Sequence, residues 1–397
     1  MEKLRVGLFC TGVFRRKSYA RNLCLARGLT KLGCEVTLFI CHDRFRFERK
    51  LIDGVHLILT PELLPYRLRK GGLGPIDTLA RLVCSLPMRF DLVHADEGLR
   101  PASGFPGHVY AHLRKVPYVC DWWDWVGHGG LLDYRSKVYQ YTLGAMDNYF
   151  EVWDKLHAAG VVTISAVLRE RAINLGIPPE RTTVIHGGAD VWQESYQEPA
   201  DFRREMGWDL DAPIMGFAGM GPHEYETIVP FLECVPELRR RFPKFIWFST
   251  GDAMPDSVRR QYGIGTEYVD VGWLDYRKYQ RCLAAADVLL LLLSQSVPDA
   301  ARWPNKLGDY LAAGRPIVGS AVGELDVFAK RYPDSVQLVG PSSEEVCEGV
   351  SAMLESPSRR HKMGLINLDV ARSEYSWDHK AEELLSFYRD VLAMGPP

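Results

Sequence analysis

The chain has 397 residues, 47% of them hydrophobic and 25% charged, and a formal net charge of −2. These values are typical of a soluble globular protein, and the near-neutral charge excludes a strong overall field that would attract nucleic acid. The length predicts two domains of about 150–200 residues each.

The sequence contains no apolar run of the roughly 18 residues that a membrane-spanning helix needs. Its nine cysteines are scattered, and no two of them form a Cys-x-x-Cys pair. This pattern is typical of reduced, apolar cysteines rather than of disulfides or a zinc site. We therefore expect a cytoplasmic protein, with the inner face of a membrane as the alternative location.

Short apolar strands alternate with helical patterns along the whole chain, which predicts parallel sheets built from βαβ units. The strands predicted in the first half cover residues 4–9, 35–40, 55–59, 91–94, 116–120, 161–164 and 183–185. Those in the second half cover residues 214–218, 245–249, 268–271, 288–293, 317–319 and 336–339. The predicted fold class is therefore α/β, with two doubly wound, Rossmann-like domains joined by a polar linker.

The first predicted strand leads into Gly12 and then into three consecutive cations, Arg15, Arg16 and Lys17. Ligands bind at the carboxyl ends of the strands in open α/β sheets. Cations at this turn therefore predict a site for an anionic donor or acceptor, and a solvated run of charges is the alternative. One glycine is too few for a Gly-x-Gly-x-x-Gly dinucleotide motif.

The strand 116–120 is followed by two carboxylates, Asp121 and Asp124, among three tryptophans, and then by His128. Aromatic faces suit sugar rings, and carboxylates accept hydrogen bonds from hydroxyls or act as general bases. Since a buried, unpaired carboxylate is costly, we expect at least one of the two carboxylates to contact the sugar or the acceptor. The alternatives are a tryptophan-rich plug between domains and a pair of carboxylates that both pair with arginines at the domain interface. His94 ends the preceding strand and belongs to the same edge.

Residues 304–316 are predicted to form a helix, with a proline in the first turn and a glycine and a proline at its end. Lys306 puts a cation in the first turn, where the helix dipole favours an anion. Gly308, in mid-helix, costs about 1 kcal/mol relative to alanine. Both choices fit a phosphate bound at this terminus, and an ordinary surface helix is the alternative. Asp309 lies on nearly the same face as Lys306, where it could accept hydrogen bonds from sugar hydroxyls.

This helix lies between two apolar strands. The order of strand, loop, helix and strand resembles the donor-binding segment of retaining GT-B glycosyltransferases of family 4. Many members have the pattern P-x-K-x-x-E-Y-x-A-x-G-x-P there. The resemblance implies that Asp309 holds the donor ribose and that Lys306 lies beside the diphosphate or the sugar. It also implies that the loop with Asp121, Asp124 and His128 reaches the transferred sugar.

Two further segments extend the resemblance to nearly the whole chain. Residues 184–190 resemble the family's hinge signature V-I-P-N-G-V-D, and residues 376–392 form an amphipathic helical pattern. The resemblance implies an acceptor-side domain over residues 1–190 and a donor-binding domain over residues 191–372. Residues 373–397 would then cross back to the first domain.

The resemblance places Gly12 and Gly219 at the donor and Trp273 beside the nucleobase. The sequence departs from the family at Met220 and near Tyr225, where an arginine and a lysine usually hold the diphosphate. Each lost charge-assisted contact is worth roughly 1.5–3 kcal/mol.

A second departure concerns the family's first glutamate, whose position falls on Ala301. Arg302 is the next residue and is a candidate phosphate contact, with a plain surface arginine as the alternative. Together with Lys306 and the loop that carries Arg15, it could supply the missing positive charge.

The sequence therefore predicts a glycosyltransferase that moves a sugar from a nucleotide-diphosphate donor to an acceptor hydroxyl, without a cofactor or a metal. The acceptor would be a glycan, a lipid-linked molecule or a small molecule. Aromatic and basic stretches at residues 44–47 and 65–70 could contact an anionic membrane, although such stretches are often solvated loops. The alternatives are a non-catalytic nucleotide-sugar or glycan-binding protein and a GT-B hydrolase or epimerase.

Overall fold

The computed structural model describes residues 3–14, 20–191, 199–221 and 224–395. Contacts divide the chain into two compact units. The first unit comprises Met1–Gly188, Ala301–Trp303 and Trp377–Pro397, and the second comprises Ala189–Ala300 and Pro304–Ser376. Among the helices in the described ranges, none has the combination of length and hydropathy that a bilayer-spanning segment needs.

The first unit is built on an eight-stranded sheet. Its strands are β1 (Arg5–Val13), β2 (Glu35–Cys41), β3 (Glu48–Ile52), β4 (Val55–Thr60), β5 (Leu92–Ala95), β6 (Tyr118–Trp122), β7 (Gly160–Thr163) and β8 (Thr182–Val184). The helices are α1 (Ala20–Lys31), α2 (Tyr66–Lys70), α3 (Pro75–Ser85), α4 (Pro101–Arg114), α5 (Lys137–Tyr141), α6 (Leu143–Leu156) and α7 (Ala166–Asn174). The spatial order is β3-β4-β2-β1-β5-β6-β7-β8, and every neighbouring pair except β3 and β4 is parallel.

The edge strand β3 was missing from the sequence prediction. It pairs antiparallel with β4 through a two-residue turn, Asp53 and Gly54, whose φ angles are 50° and 80°. Asp-Gly is the usual sequence of such a type I′ hairpin turn. This dipeptide was therefore the available signal, but the charged residues of β3 concealed the strand.

Two strands extend further toward the predicted site than the sequence indicated. β1 continues to Val13 instead of ending at residue 9, and β6 covers Tyr118–Trp122 instead of residues 116–120. Asp121 therefore lies in the sheet, where it is the register partner of Val162 in β7. The prediction ended both strands where polar residues or glycine began, but a parallel sheet can continue past such residues when other elements supply their partners.

The second unit contains a six-stranded parallel sheet in the order β11-β10-β9-β12-β13-β14. Its strands are β9 (Ile214–Met220), β10 (Ile246–Gly251), β11 (Tyr268–Gly272), β12 (Val288–Leu291), β13 (Ile317–Ser320) and β14 (Val336–Val339). The helices are α8 (Pro199–Glu205), α9 (Glu224–Arg241), α10 (Asp256–Gln261), α11 (Tyr276–Ala284), α12 (Val297–Ala301), α13 (Lys306–Ala312), α14 (Gly323–Arg331), α15 (Ser343–Leu354) and α16 (Pro357–Ser373). All six strands were predicted, and each sheet has the doubly wound α/β form expected from the sequence.

The last helix, α17 (Trp377–Met394), packs in the core of the first unit. Its apolar face buries Ala381, Leu384 and Tyr388. The helix crosses α1 closely, since a Cβ atom added at Gly28 would lie 2.4 Å from that of Ala381. The end of the chain is thus an integral part of this core.

Candidate functional site

In the first unit, the carboxyl ends of β1, β5 and β6 lie side by side because these strands are parallel neighbours. Gly12, near the end of β1, has a φ of 94°, a left-handed conformation that favours glycine. The buried carboxylate of Asp96 accepts hydrogen bonds from the backbone N–H of Thr11 and from the side-chain amide of Asn22. It therefore fixes the backbone next to Gly12. The predicted cations of this turn, Arg15, Arg16 and Lys17, lie outside the described residues.

Asp121, in β6, is 1% exposed and belongs to a buried polar cluster. Its carboxylate lies 3.3 Å from Nε2 of His94 and 3.8 Å from Nε of Arg21. The second ring nitrogen of His94, Nδ1, lies 2.5 Å from the hydroxyl of Tyr388 in α17. Burial raises the pKa of Asp121, but the attraction of His94 and Arg21 outweighs burial and holds the pKa below its ordinary value.

The expectation that at least one of the two carboxylates contacts sugar or acceptor stays a prediction, and Asp121 is the less accessible of the pair. Arg21 and His94 supply its partners from α1 and β5, so the carboxylate is stabilised inside the unit. For Asp121 alone, the pairing with an arginine resembles the alternative, which expected such pairs for both carboxylates. A catalytic role for Asp121 stays a prediction.

Asp124 and His128 lie on the exposed part of the same loop. The protein packed around Asp124 raises the pKa of its carboxyl group, and Arg302 partly offsets this effect. The imidazole of His128 is 59% exposed, with Nδ1 3.3 Å from the carboxylate of Asp133. Both side chains are accessible to a ligand, as a residue that acts on substrate must be.

Two of the three tryptophans stabilise the loop and are not available to a sugar ring. Trp122 is 2% exposed, and its indole N–H donates to Glu151 over 2.8 Å. Trp125 packs on Arg171, whose guanidinium carbon lies 3.9 Å from the ring centroid. An aromatic platform built from Trp122 is therefore excluded.

Glu151, in α6, determines the path of this loop, and the sequence analysis missed it. Its fully buried carboxylate accepts hydrogen bonds from the backbone N–H groups of Val126 and Gly127, at 2.9 and 2.7 Å, in addition to Trp122. A glutamate more than 20 residues after the loop carries no local signal of this contact.

Glu97 is a second side chain that the sequence analysis did not select. It directly follows Asp96 at the end of β5, and burial raises its pKa to about 7. The negative charges of Asp96 and Asp124 add to this shift, and Arg100 opposes it. A carboxyl group that titrates near neutrality can exchange protons at physiological pH.

In the second unit, the predicted donor residues Gly219, Lys306 and Asp309 lie on neighbouring elements. Gly219, in β9, has a φ of 66°, and a Cβ atom added there would lie 3.5 Å from Cε of Lys306. Lys306 is the first residue of α13, and its amine lies 4.2 Å from the ring centroid of Phe217. One turn later, the carboxylate of Asp309 accepts a hydrogen bond from the hydroxyl of Tyr279 at 2.9 Å. The predicted helix is present, but it covers Lys306–Ala312 instead of residues 304–316, so Pro304 lies before its first turn.

The departures from the family pattern are also visible in this unit. Met220 is 2% exposed, so its side chain belongs to the core. The hydroxyl of Tyr225 donates to the backbone oxygen of Ala253 at 3.1 Å. Trp273 is 67% exposed, and its indole N–H donates to Asp252 at 2.9 Å, which leaves a broad ring face at the surface.

The segment Ala301–Trp303 groups with the first unit. The backbone oxygen of Ala301 accepts a hydrogen bond from the hydroxyl of Ser165, and the ring of Trp303 stacks on His186 with centroids 4.3 Å apart. The side chain of Arg302 is exposed, and its charge lowers the pKa of Asp124. Its contact with a phosphate stays a prediction.

Within the described ranges, His, Cys, Asp and Glu side chains do not gather in groups of three or more that could hold a metal ion. Among the predicted donor residues of the second unit, the cation is Lys306, the first residue of α13.

Two family models match this chain along most of its length. The glycosyl transferase 4-like domain matches residues 19–188, and glycosyl transferases group 1 matches residues 212–356. The chain belongs to the group 1 glycosyltransferases. This membership confirms the predicted family and shows that the protein is a glycosyltransferase.

Curated relatives of this glycosyltransferase align over most of its length. An uncharacterized glycosyltransferase of Methanocaldococcus jannaschii is 24% identical over 394 residues, which cover 93% of each chain. The spore coat protein SA of Bacillus subtilis is 22% identical and covers 89% of each chain. The alpha-maltose-1-phosphate synthase of Mycolicibacterium smegmatis is 22% identical over 73% of this chain and 77% of its own.

Solved structures show that the fold is GT-B, as predicted. Sucrose-phosphate synthase from Thermosynechococcus elongatus matches with a TM-score of 0.73 at 15% identity, over 99% of this chain and 100% of that one. WaaG, a glycosyltransferase involved in lipopolysaccharide biosynthesis, has a TM-score of 0.66 at 14% identity, over 96% and 99% of the two chains. Anabaena HepE, in complex with UDP-glucose, has the same TM-score, identity and coverage.

Proposed function

We propose that this glycosyltransferase takes its sugar from a nucleotide-diphosphate donor and transfers it to an acceptor hydroxyl with retention of anomeric configuration. The nucleotide binds to the second unit, and the acceptor binds to the first. The observation that carries the proposal is the juxtaposition of Lys306, Gly219 and Asp309. The amine of Lys306 and the first N–H groups of α13 offer positive charge, and the left-handed Gly219 lets the backbone come close.

The complex of HepE with UDP-glucose supports a nucleotide sugar as the donor and makes uridine the first base to test. Asp309 lies one helical turn from Lys306, which suits a ribose that is attached to the diphosphate. Trp273 offers an exposed ring on which the base can stack.

In the proposed reaction, the acceptor oxygen forms a bond to the anomeric carbon on the face from which the diphosphate departs, and the bond from that carbon to the diphosphate oxygen breaks, so the configuration is retained. The electron pair leaves with the diphosphate, where Lys306 stabilises the developing charge without a metal. The acceptor proton passes to a base of the first unit. Asp124 and His128 are exposed candidates, Glu97 is a half-buried candidate, and Asp121 would act from its buried cluster.

The acceptor is a glycan, a lipid-linked molecule or a small molecule in a cytoplasmic reaction. A lipid-linked acceptor is supported by the exposed aromatic rings of Phe45 and Phe47, which alternate with Arg44 and Arg46. Such a surface binds anionic lipid headgroups through its cations and the interface through its rings.

The experiment that tests the proposal incubates the full chain with nucleotide sugars of different bases and measures release of the nucleoside diphosphate. Release that depends on an acceptor, together with a glycosylated product, is the expected result. Release with water alone would identify a hydrolase, and a changed sugar still attached to its nucleotide would identify an epimerase. Calorimetric binding without turnover on any acceptor would favour a sugar-nucleotide-binding protein.

A further inference from the structure

The helix α6 has an inverted arrangement of polar and apolar side chains. Its inward face is charged, since Glu151, Asp154 and Lys155 are each at most 1% exposed. Its outward face is apolar, with Leu143, Met146, Tyr149 and Phe150 exposed by 61%, 56%, 59% and 42%. A helix on the surface of a globular protein normally shows the opposite arrangement.

Hydrogen bonds lock α6 in this orientation. Glu151 binds the loop after β6 through two backbone N–H groups and the indole of Trp122. The carboxylate of Asp154 accepts a hydrogen bond from the hydroxyl of Tyr118 at 2.7 Å and lies 2.9 Å from Nε2 of His108. Rotating the helix to bury its apolar side chains would break all of these contacts, so the apolar face is fixed outward.

The preceding helix, α5, extends the same surface. Val138 and Tyr141 are 77% and 79% exposed, the highest values among the large apolar side chains described. We call the surface formed by both helices the α5–α6 face; it comprises Val138, Tyr141, Leu143, Met146, Tyr149 and Phe150.

The α5–α6 face contains few charged residues. Between Val138 and Phe150 the only charged residue is Asp147, which pairs with Arg100 at 3.1 Å and accepts a hydrogen bond from the hydroxyl of Tyr139 at 2.8 Å. Lys137, the first residue of α5, is an exposed cation next to this segment. By contrast, the aromatic surface at residues 44–47 alternates rings with arginines. Aromatic residues and methionine without charge are typical of the core of a protein–protein interface, whereas an interfacial membrane helix carries many cations.

We infer that the α5–α6 face is the interface of a homodimer, covered by the same face of a second copy of this chain. Leu143, Met146 and Phe150 follow one another at helical spacing and form an apolar stripe along α6. Two antiparallel α6 helices can therefore pack with these stripes in contact, and no charged side chains of the same sign are brought together. A buried aromatic side chain covers about 150–250 Å², so the three rings and three aliphatic side chains expose several hundred Å². This is a large share of the ~800 Å² that each partner contributes to a standard interface.

The test compares the wild-type chain with the double variant Leu143→Glu/Met146→Glu by sedimentation velocity over a wide concentration range. The matched control is Val327→Glu/Leu365→Glu, which changes two apolar residues that are 52% and 48% exposed on α14 and α16. The wild type and the control should sediment as a dimer of 45.0 kDa chains. The double variant should sediment as a folded monomer, with a dissociation constant raised about 100-fold or more.

A wild type that is monomeric at every concentration, or a double variant that stays dimeric, would overturn the inference. Binding of a monomeric wild type to neutral lipid vesicles, lost in the double variant, would identify a membrane as the occupant and would also overturn it. Melting temperatures of all three proteins show whether each is folded, since the changed side chains are exposed and outside the core.

Discussion

At the scale of single residues, the proposed donor site depends on how the amine of Lys306 is held. Without a ligand it lies over the ring of Phe217, a cation–π contact worth roughly 0.5–2 kcal/mol. A charge-assisted hydrogen bond to phosphate contributes about 1.5–3 kcal/mol. A diphosphate can therefore draw the amine from the ring, and the ring keeps the amine in place until the ligand arrives.

Replacing Lys306 with alanine should weaken the binding of a nucleoside diphosphate about tenfold to a hundredfold, the scale of one charged contact. Calorimetry on the full chain measures this. The control is Lys330→Ala, since Lys330 is an exposed lysine of the same unit that pairs with Asp326. Equal affinity of the Lys306 variant and the wild type would contradict the assignment of Lys306 to the diphosphate.

Replacing Asp309 with asparagine should lower the affinity for the nucleoside portion by about tenfold, because a neutral amide is a weaker acceptor for ribose hydroxyls. The fold should remain, since Tyr279 can still donate to the side-chain oxygen. Affinities for a nucleoside diphosphate and for inorganic diphosphate separate the two portions of the donor. An equal loss of affinity for the nucleoside diphosphate and for inorganic diphosphate would show that Asp309 does not bind the ribose.

The two carboxylates of the loop after β6 should respond differently to neutralisation. Asp121→Asn removes a charge from a buried cluster with Arg21 and His94, which should lower the free energy of unfolding by roughly 3–5 kcal/mol. Asp124→Asn changes an exposed side chain, so we expect little loss of stability and a large loss of turnover. Melting temperature and turnover per folded molecule, measured on the same samples, check both expectations. Full turnover in the Asp124 variant would remove it from the catalytic candidates.

At the scale of elements, the position of the predicted catalytic side chains is set by β6, the loop that follows it and α6. The loop carries Asp124 and His128, and α6 holds it through three hydrogen bonds to Glu151. The position of the predicted catalytic side chains thus depends on a helix that contributes none of them. A substitution in α6 can therefore alter turnover even though the substituted residue does not contact the ligand.

Replacing Glu151 with glutamine should cost about 1–3 kcal/mol of stability, because an amide N–H₂ then faces a backbone N–H that has lost its acceptor. Turnover should fall more than the affinity for a nucleoside diphosphate, since Glu151 positions the loop of the first unit and not the donor residues. Stopped assays and calorimetry measure the two quantities. Glu355→Gln, on an exposed residue at the end of α15, is the control. An equal loss of affinity and turnover would point to a general folding defect.

At the scale of the whole molecule, the buried ionisable groups of the first unit make stability depend on pH. The pKa of Glu97 is raised to about 7 in the folded protein, against about 4.3 for an unperturbed glutamate. The folded state therefore binds the proton more tightly than the unfolded state between these two values. Stability attributable to Glu97 falls as the pH rises from about 4.3 to 7, and the loss is complete above pH 7.

The variant Glu97→Gln, which cannot ionise, should be about 3–4 kcal/mol more stable than the wild type at pH 8 and nearly equal to it at pH 4. Urea denaturation at the two pH values measures the difference. A gain of the same size at both pH values would mean that the glutamine packs better and that ionisation of Glu97 is not the cause.

The sequence by itself predicted the features that depend on local patterns. Alternating apolar runs and helical periodicity placed all six strands of the second unit and identified the α/β class, because these periods are set by backbone geometry over a few residues. The helix α13 that carries Lys306 was predicted for the same reason, although it begins two residues later than expected. The missed strand β3 had a local signal, the Asp-Gly turn, and its charged residues hid it.

The tertiary structure decided whether each candidate side chain is accessible and what it contacts. Asp121 is buried because His94, Arg21 and Tyr388 meet it from β5, α1 and α17, and His94 and Tyr388 are 294 residues apart along the chain. Glu151 holds a loop more than 20 residues before it, and the charged inner face of α6 leaves an apolar face outside. Local propensity cannot encode such contacts, because the partner of a buried charge depends on which strands and helices become neighbours. These neighbours are determined only when the whole unit folds.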